Sequence, residues 1–367
     1  MAVLSWIAGK WTILVAILFF GIIIMVHETG HFAFAKLFGV KVNEFSLGMG
    51  PKIISKKKGE TAYSWRLFPI GGFVSMEGED EASDDERAFN NKPCWQRIII
   101  VAAGAIINIL IGLIIIGVLL TVNSYKKSGD ESERLSGTNT VNYFITQSAS
   151  DPKKTENVKE YEGLKSGDTI KKIDGKNVFY YEDIYYLASR DFDGDGKFSA
   201  TVLRDGQKVN VGSISTDVLD HMIIVGINPT PLTIVKDTFK ESLTICRMVY
   251  LSLFDMITGK YSVKDVSGPI GVVDYVSQTA EASKEAKDFS PLFKMMALIT
   301  INIGLFNLLP IPALDGGRLL FLLIELIRRK PINPKYEAAI HGVGMAVLLL
   351  FMVAISFKDI WMLITGG

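Results

Sequence analysis

The residues with the clearest chemical meaning are His27-Glu28-Thr29-Gly30-His31, near the start of the chain. Residues four apart lie on one face of a helix, so the imidazoles of His27 and His31 converge on one point. Two imidazole nitrogens at this spacing are typical zinc ligands, and a neighbouring glutamate can hold and deprotonate a water molecule at the metal. The pattern therefore predicts a catalytic zinc site with Glu28 as its general base.

The elements that must position these residues are long apolar helices. Apart from Glu28, four segments carry no charged residue, namely 11–35, 98–125, 295–314 and 338–357. About 20 mostly apolar residues cross the hydrocarbon of a bilayer, so we expect four transmembrane helices. The composition agrees, with 49% hydrophobic and 21% charged residues and a mean hydropathy of +0.28. Because ionisable groups inside a membrane are costly unless they are paired or functional, a metal site is favoured over a solvated charged face.

A catalytic zinc ion needs a third protein ligand, and Asp315 is the candidate. It follows two prolines and precedes two glycines, which break a membrane helix where the backbone lines a cavity. The first and third segments run in the same direction, and helical rise places His27 about 24 Å and Asp315 about 30 Å from their outer ends. Both residues therefore come near the cytosolic end. Two alternatives stay open: Asp315 caps the helix that resumes at Gly317, or Glu325 is the ligand.

Charge in the loops predicts the orientation of the chain. Nine basic residues lie within 41–97, between the first two segments, and four within 328–335, between the last two. Short basic loops stay in the cytosol, so both termini and the long segment 126–291 are expected outside. Lys+Arg and Asp+Glu are 39 each, and this balance argues against a nucleic-acid partner. Two cysteines exclude a disulfide framework.

The connecting segments have their own patterns. Residues 136–228 are polar with short β-like runs, which predicts one small soluble domain. Apolar residues at helical spacing over 232–257 predict a helix that either packs on that domain or lies in the membrane interface. YSWRLF at 63–68 follows a Gly-Glu-Thr turn and predicts a β-hairpin in the loop 40–97. His221 and His341 have no partners at ligand spacing and are expected to be structural.

Nearly the whole chain resembles the site-2 proteases, which are intramembrane zinc metalloproteases, and specifically their bacterial RseP-type branch. HETGH resembles the zinc motif of this family, and NLLPIPALDGG its N-x-x-P-x-x-x-L-D-G motif. GGFVSMEG is similar to the cytosolic-side re-entrant β-hairpin, EGLKSGDTIKKIDGKNV to the core of a PDZ domain, and SGPIGVV to the segment after that domain. These five segments lie at 27–31, 307–317, 71–78, 162–178 and 267–273. One departure is GAIIN at 104–108, where Ala105 replaces the usual proline and Asn108 is retained.

The resemblance implies roles for individual residues. His27, His31 and Asp315 are implied as ligands of one zinc ion per chain, and Glu28 as the catalytic acid and base. Asn307 is implied to bind the substrate backbone or the developing oxyanion. Further substrate-binding residues are implied at Asn302, at Gly71, Gly72 and Phe73 of the hairpin, and at Gly163 and Leu164 of the PDZ groove.

The resemblance also implies a fold, partners and a location. The fold is a polytopic α-helical membrane protein of four spans with an inserted extracytoplasmic α+β PDZ-like domain and a cytosolic-side β-hairpin. Its expected parts are a first membrane segment, the PDZ-like domain, an amphipathic helix with its connection, and a second membrane segment, at 1–125, 136–228, 229–291 and 292–367. The implied partners are membrane lipid, single-pass membrane proteins such as anti-sigma factors or remnant signal peptides as substrates, and a site-1-type protease that trims them first. The implied location is the bacterial cell membrane.

Two other classes of function compete with proteolysis. A non-enzymatic PDZ scaffold would not need Glu28 and Asp315 together with the two histidines. A zinc transporter or sensor would need acidic or histidine ligands at more than one depth, and the second and fourth segments offer only Asn108 and His341.

Overall fold

The computed structural model describes residues 11–79, 81, 83–125, 137–147, 155–190, 194–226, 230–260 and 268–365. Its helices are α1 (Trp11–Leu37), α2 (Cys94–Tyr125), α3 (Glu182–Ala188), α4 (Val218–His221), α5 (Pro231–Ile257), α6 (Pro269–Ala286), α7 (Ser290–Leu308), α8 (Asp315–Arg328) and α9 (Pro334–Thr365). Its strands are β1 (Val42–Lys58), β2 (Thr61–Met76), β3 (Gly137–Gln147), β4 (Thr155–Val158), β5 (Glu160–Tyr161), β6 (Leu164–Lys165), β7 (Thr169–Ile173), β8 (Lys176–Asn177), β9 (Lys197–Arg204), β10 (Gln207–Ser215) and β11 (Met222–Gly226).

The chain divides into two compact units. One combines the chain up to Gly112 with the chain from Tyr261 onward, and the other is Leu113–Lys260. Four described helices are long and apolar enough to cross a membrane, at Trp11–Leu37, Cys94–Val122, Ser290–Leu308 and Lys335–Met362. Four candidate spans and an inserted β-rich region, as expected from the sequence, are therefore confirmed.

The third span ends earlier than its uncharged sequence suggested. α7 stops at Leu308, whereas the apolar segment extends to residue 314. Leu309 is extended, with φ −67° and ψ 142°, because the ring of Pro310 disfavours helical backbone in the residue before it. Asp315 consequently lies on a separate helix, α8, and the loop 309–314 joins it to α7.

Small residues let the helices of the first unit approach each other closely. A Cβ atom on Gly30 of α1 would lie 2.8 Å from the Ala103 carbonyl carbon and from the Gly104 Cα of α2. A Cβ on Gly304 of α7 would lie 2.7 Å from the Ala105 carbonyl oxygen. Such contacts are shorter than any side chain tolerates, and small residues are the usual means of close helix packing in membranes. α2 therefore packs directly against both α1 and α7.

The loop after α1 forms a long, bent hairpin of β1 and β2. Lys58 pairs with Thr61 across its turn, which confirms the hairpin predicted from the sequence. Glu44 of β1 pairs with Ser75 and also with Ala62, so this part of β1 lies between two parts of β2. Positive φ angles occur at Gly48, Gly50 and Gly71, where the strands bend. Glycine adopts this conformation without steric cost.

The second unit contains the inserted β-sheet. Its strand order is β10-β9-β7-β3-β11, with β4 paired to β3 and β8 to β7. The β-like runs of the sequence, at 141–146, 168–174, 198–205 and 208–214, fall on β3, β7, β9 and β10. Its core is a single apolar cluster whose fully buried members include Phe144, Leu164, Ile170, Val202 and Ile214.

Helix α5 of the same unit has an inverted amphipathic arrangement. Its exposed side chains include Leu232, Val235, Phe239, Leu243, Tyr250, Phe254 and Ile257. Its buried side chains include Asp237, Glu241, Ser242, Thr244 and Asp255. Ion pairs of Arg190 with Asp255 and of Arg247 with Asp183 join this polar face to the rest of the unit. Five residues of the predicted apolar stripe are therefore exposed, namely Leu232, Val235, Phe239, Leu243 and Ile257, whereas Val249 is buried.

A Cβ atom on Gly117 would lie 3.3 Å from the Thr238 Oγ1 of α5. Gly117 belongs to the candidate span Cys94–Val122, so α5 lies against the end of a membrane helix.

Helix α6 was not foreseen, because the segment 229–291 was expected to hold one amphipathic helix and a connection. The first residue of the SGPIGVV segment, position 267, lies outside the described residues.

Candidate metal centre

The three predicted metal ligands meet at one point in the first unit. His27 Nε2 lies 3.0 Å and His31 Nε2 3.2 Å from Asp315 Oδ2. The two ring nitrogens are 3.2 Å apart. His27 and His31 are 9% and 7% exposed, so the group is shielded from solvent. Among the described residues, these three form the group of histidine, cysteine and acidic side chains that could hold a metal ion.

The donor set fits zinc. Tetrahedral zinc with bonds of 2.0–2.2 Å places its ligand atoms about 3.3 Å apart, close to the separations observed here. Asp315 Oδ2 is buried, and among the described residues no donor hydrogen bond with good geometry reaches it. Three lone-pair atoms facing one another in a buried space repel unless a cation lies between them.

A hydrogen bond sets the tautomer of His31, and an amide side chain faces Nδ1 of His27. His31 Nδ1 donates to the Ile100 carbonyl oxygen at 2.9 Å, which leaves Nε2 without a proton and free to bind a metal. The Asn108 amide lies 3.5 Å from His27 Nδ1, and Asn108 is fully buried. Its Oδ1 has no partner among the described residues. Turning the amide so that Oδ1 accepts from His27 Nδ1 satisfies both groups, because the two ends of an amide are interchangeable in shape.

Glycine makes room for the site on α2. A Cβ atom on Gly104 would lie 2.8 Å from Cε1 of both His27 and His31. Any other residue at this position would displace the imidazoles. Glu28, next to His27 in the chain, is half-buried, and a Cβ on Gly72 of β2 would lie 3.1 Å from its Cγ atom. The site is thus enclosed by α1, α2, α8 and the hairpin.

The chain is similar to known proteins over most of its length. The profile of peptidase family M50 matches residues 15–351. This chain belongs to peptidase family M50. A protein of Fusobacterium nucleatum, named "Putative zinc metalloprotease", is 34% identical over 361 residues, covering 96% of this chain and 99% of that protein. The regulator of sigma-W protease RasP of Bacillus subtilis is 28% identical, covering 95% and 98%. The zinc metalloprotease RasP of Bacillus licheniformis is 30% identical, also covering 95% and 98%.

Family membership confirms three expectations drawn from the sequence. The chain is a site-2-type peptidase and a membrane protein, its enzyme class is zinc metalloprotease, and its cofactor is zinc. The donor set of His27, His31 and Asp315 is consistent with that cofactor.

The sequence left two alternatives to Asp315 as a ligand, namely Glu325 as the ligand or Asp315 as a helix cap, and contacts in the structure argue against both. Glu325 pairs with Arg97 of α2, so its carboxylate is engaged away from the histidines. Asp315 begins α8, but its carboxylate faces the imidazoles, and the N-cap residue Leu314 makes no side-chain cap. The position of Asp315 at the helix start therefore does not replace its contact with the histidines.

The remaining predicted residues of the first unit lie on α7 and on the hairpin. Asn307 and Asn302 both belong to α7, and Asn307 is the next-to-last residue before the loop that leads to Asp315. Gly71, Gly72 and Phe73 lie on β2, where Gly72 pairs with Leu47 and Phe73 with Ser46.

The residues proposed for the PDZ groove belong to the second unit. Leu164 is fully buried in its core. The Gly163 carbonyl oxygen accepts a hydrogen bond from Arg204 at 2.9 Å. Their role in binding substrate stays a prediction.

Sequence reasoning missed Ile100, Gly104 and the link between Asn108 and His27. A main-chain carbonyl carries no signal in the sequence. Gly104 and Asn108 both occur in GAIIN at 104–108, a segment noted for its departure at Ala105, but their partners are more than 70 residues away in the chain.

Proposed function

We propose that this protein hydrolyses peptide bonds within the membrane-spanning segments of single-pass membrane proteins. The observation that carries the proposal is the meeting of His27, His31 and Asp315 at one buried point between apolar helices. Metal ligands inside a membrane segment favour a function there over a structural role. The name of the Bacillus subtilis relative, a regulator of sigma-W protease, supports a substrate of the anti-sigma-factor kind. Remnant signal peptides are the second substrate class that we propose.

The three ligand side chains hold one zinc ion in this proposal. When bound, zinc polarises the scissile carbonyl and the attacking water. Glu28 accepts a proton from that water and returns it to the leaving amine nitrogen, so the same carboxylate acts first as base and then as acid. Asn307 donates from its side-chain amide to the carbonyl oxygen as negative charge develops there, and Asn302, on the same helix, supports this region.

A peptide bond inside a substrate helix is inaccessible until the helix unwinds. The segment Gly71–Phe73 of β2 lies beside Glu28, through the close approach of Gly72. An unwound substrate strand can pair with such an edge by main-chain hydrogen bonds, which bind it without regard to its side chains. Phe73 is held in place by the Arg66 guanidinium, 4.9 Å from the ring centroid. A proline at Ser75 should then impair cleavage of strongly helical substrates most, and equal loss on a helix-broken substrate would argue against strand pairing.

The inserted domain is proposed as a size filter outside the membrane. A site between spans must refuse most membrane proteins, and a bulky domain can exclude substrates whose outer parts have not been removed by a site-1-type protease. Binding of a new C-terminus near Gly163 and Leu164 is the alternative, but exclusion by size needs no groove chemistry. Deletion of residues 136–228 should therefore allow untrimmed substrates to be cleaved. If untrimmed substrates stayed intact, the size filter would be wrong.

The decisive experiment is a cleavage assay on detergent-solubilised protein with a fluorescent single-pass substrate. Activity should disappear with a zinc chelator and return with added zinc. Glu28→Gln keeps all three ligands but removes the base, so zinc content should stay at one per chain while turnover falls about 100-fold or more. Asp315→Ala should lose both zinc and activity. Full zinc occupancy in that variant would rule out Asp315 as a ligand.

A matched control separates these effects from the loss of any glutamate. Glu281 is exposed on α6 of the same unit, so Glu281→Gln should keep wild-type zinc content and turnover. Near-normal proteolysis by Glu28→Gln would overturn the proposed mechanism.

A further inference from the structure

The loop that carries Asp315 contains an unusual backbone conformation. Ala313, two residues before Asp315, has a φ angle of +77°. A residue with a Cβ atom rarely adopts this left-handed region, because it is strained there, and keeps it only where its surroundings impose it. Some contact outside the loop must therefore hold Ala313.

That contact comes from the fourth candidate span. The main-chain N–H of Ala313 donates to His341 Nδ1 at 3.0 Å. Because Nδ1 accepts, the proton of the neutral imidazole is on Nε2, which is buried and has no partner among the described residues. Among the described residues, His341 therefore makes its hydrogen bond to one backbone group of this loop, the Ala313 N–H.

Two further close approaches place α9 against the same loop and against the start of α8. A Cβ atom on Gly344 would lie 2.9 Å from the carbonyl carbon of Pro312. A Cβ on Gly317, two residues after Asp315, would lie 3.1 Å from His341 Cε1. Only 6% of the most apolar window of this span is buried. Nearer its C-terminus α9 contacts α6, where the Asp359 carboxylate accepts a hydrogen bond from the Gly271 N–H, so contact with the loop belongs to the N-terminal part of α9.

We infer that His341 is a positioning residue for the metal ligand Asp315. Its Nδ1 atom fixes the Ala313 N–H, holds the loop in its left-handed turn and so directs the Asp315 carboxylate toward His27 and His31. This inference rests on the proposed function, since it assumes that the three side chains bind zinc. His341 acts through the loop and touches neither metal nor substrate.

Zinc affinity is the measurement that tests it. The full chain is purified in detergent, stripped of metal, and titrated with zinc against a chromophoric chelator. His341→Leu keeps the size of the side chain but cannot accept the hydrogen bond, so zinc affinity should fall about 10- to 100-fold, as for other outer-sphere residues. His341→Asn should retain most of the affinity, because Asn Oδ1 can take the place of the accepting Nδ1.

A second variant tests the backbone directly. Glycine adopts positive φ without strain, so Ala313→Gly should restore part of the affinity lost in His341→Leu. His221→Leu makes the same chemical change in the second unit and should bind zinc like the wild type. The thermal midpoint of each zinc-free variant reports whether the fold is intact.

The outcomes separate this inference from the proposed function. Wild-type protein that binds no zinc would overturn the metal site itself. Wild-type binding that is lost in His27→Ala but unchanged in His341→Leu would leave the site standing and overturn the role of His341. Equal weakening in His341→Leu and His341→Asn would mean that packing, and not the hydrogen bond, matters, and would also overturn it.

Discussion

Each imidazole of the metal centre needs an acceptor for the proton on its outer nitrogen, because the nitrogen that binds zinc carries none. His31 uses the Ile100 carbonyl oxygen, and His27 faces the Asn108 amide. Both partners lie on α2, a helix that supplies no ligand of its own. The second span thus contributes the orientation of the rings.

Replacing Asn108 should weaken zinc binding. Asn108→Leu removes the acceptor while keeping the volume, so we expect about a 10- to 100-fold loss of zinc affinity. Asn108→Asp keeps an acceptor oxygen at the same place. It should therefore bind zinc more tightly than the leucine variant. Chelator competition on both proteins measures the difference, and equal affinities would exclude a role for Asn108 in orienting His27.

Gly104→Ala should also disturb the site. The added Cβ would lie 2.8 Å from Cε1 of His27 and of His31, and overpacking of this kind usually costs about 1–3 kcal/mol. Zinc binding and proteolysis should both fall. Gly21→Ala on α1 is the matched control, because a Cβ there meets no atom within 4 Å. A Gly104→Ala protein with wild-type zinc affinity would contradict the packing seen here.

At the scale of elements, ion pairs attach the hairpin to its neighbours. Glu60, in the turn between β1 and β2, accepts hydrogen bonds from Arg87 and from Lys36 at the end of α1. Arg87 and Lys36 lower the pKa of Glu60 from 4.5 to about 2. A depressed carboxyl pKa means that the ionised form is favoured in the folded hairpin.

The attachment of the hairpin turn should depend on pH. Because the folded pKa of Glu60 is below its ordinary value, its contribution is complete above about pH 4.5 and is lost as the pH falls toward about 2. A spin label at Lys58, in protein without Cys94 and Cys246, should become more mobile over this range. Glu60→Gln should show the mobile spectrum already at pH 7. A label insensitive to both changes would refute the attachment.

The exposed stripe of α5 is the second feature at this scale. A helix on a soluble domain normally buries its apolar face, yet α5 exposes much of its apolar stripe and buries Asp237, Glu241 and Asp255. It also lies against Gly117 of a candidate span. These observations favour the interpretation of α5 as a helix in the membrane interface over one packed by its apolar side on its own domain.

Lipid contact of α5 can be measured directly. A fluorophore on Phe239→Cys in reconstituted protein should be quenched by brominated lipids, because this side chain is 59% exposed on the apolar stripe. The same fluorophore on Lys208→Cys, on an exposed position of β10, should not be quenched. Equal quenching at the two positions, or none, would place the stripe away from lipid.

For the whole molecule, charge in the loops predicts which side of the membrane the hairpin and the inserted domain face. The basic loops predict a cytosolic hairpin and an inserted domain outside. Lys57 lies in the hairpin and Lys208 in the inserted sheet, and both are exposed. They are therefore suitable positions for cysteine probes.

A membrane-impermeant thiol reagent should distinguish the two orientations. In right-side-out vesicles, Lys208→Cys should react and Lys57→Cys should not, and inside-out vesicles should give the opposite result. Native Cys94 and Cys246 are replaced in both proteins. The reverse labelling pattern would show that the predicted orientation is wrong. The candidate site would then lie near the opposite side of the membrane, and substrates would have to be trimmed on the other side.

The sequence by itself determined the features that depend on local order. The i, i+4 spacing of His27 and His31 fixes a shared helix face, uncharged runs define four candidate spans, and alternating residues predict the hairpin and the strands. These follow from periodicity and hydropathy, which neighbouring residues establish alone. Asp315 was also predicted as a ligand, since the breakers around it are local, but Glu325 remained a rival.

Only the tertiary structure decided between such rivals. Glu325 pairs with Arg97, while Asp315 meets the histidines, and both outcomes depend on contacts between helices far apart in the chain. The same holds for Asn108, for the hydrogen bond from Ala313 to His341, and for the face of α5 that is buried. Which side chains of separate elements meet depends on crossing geometry and close packing, and no periodicity within one element encodes it.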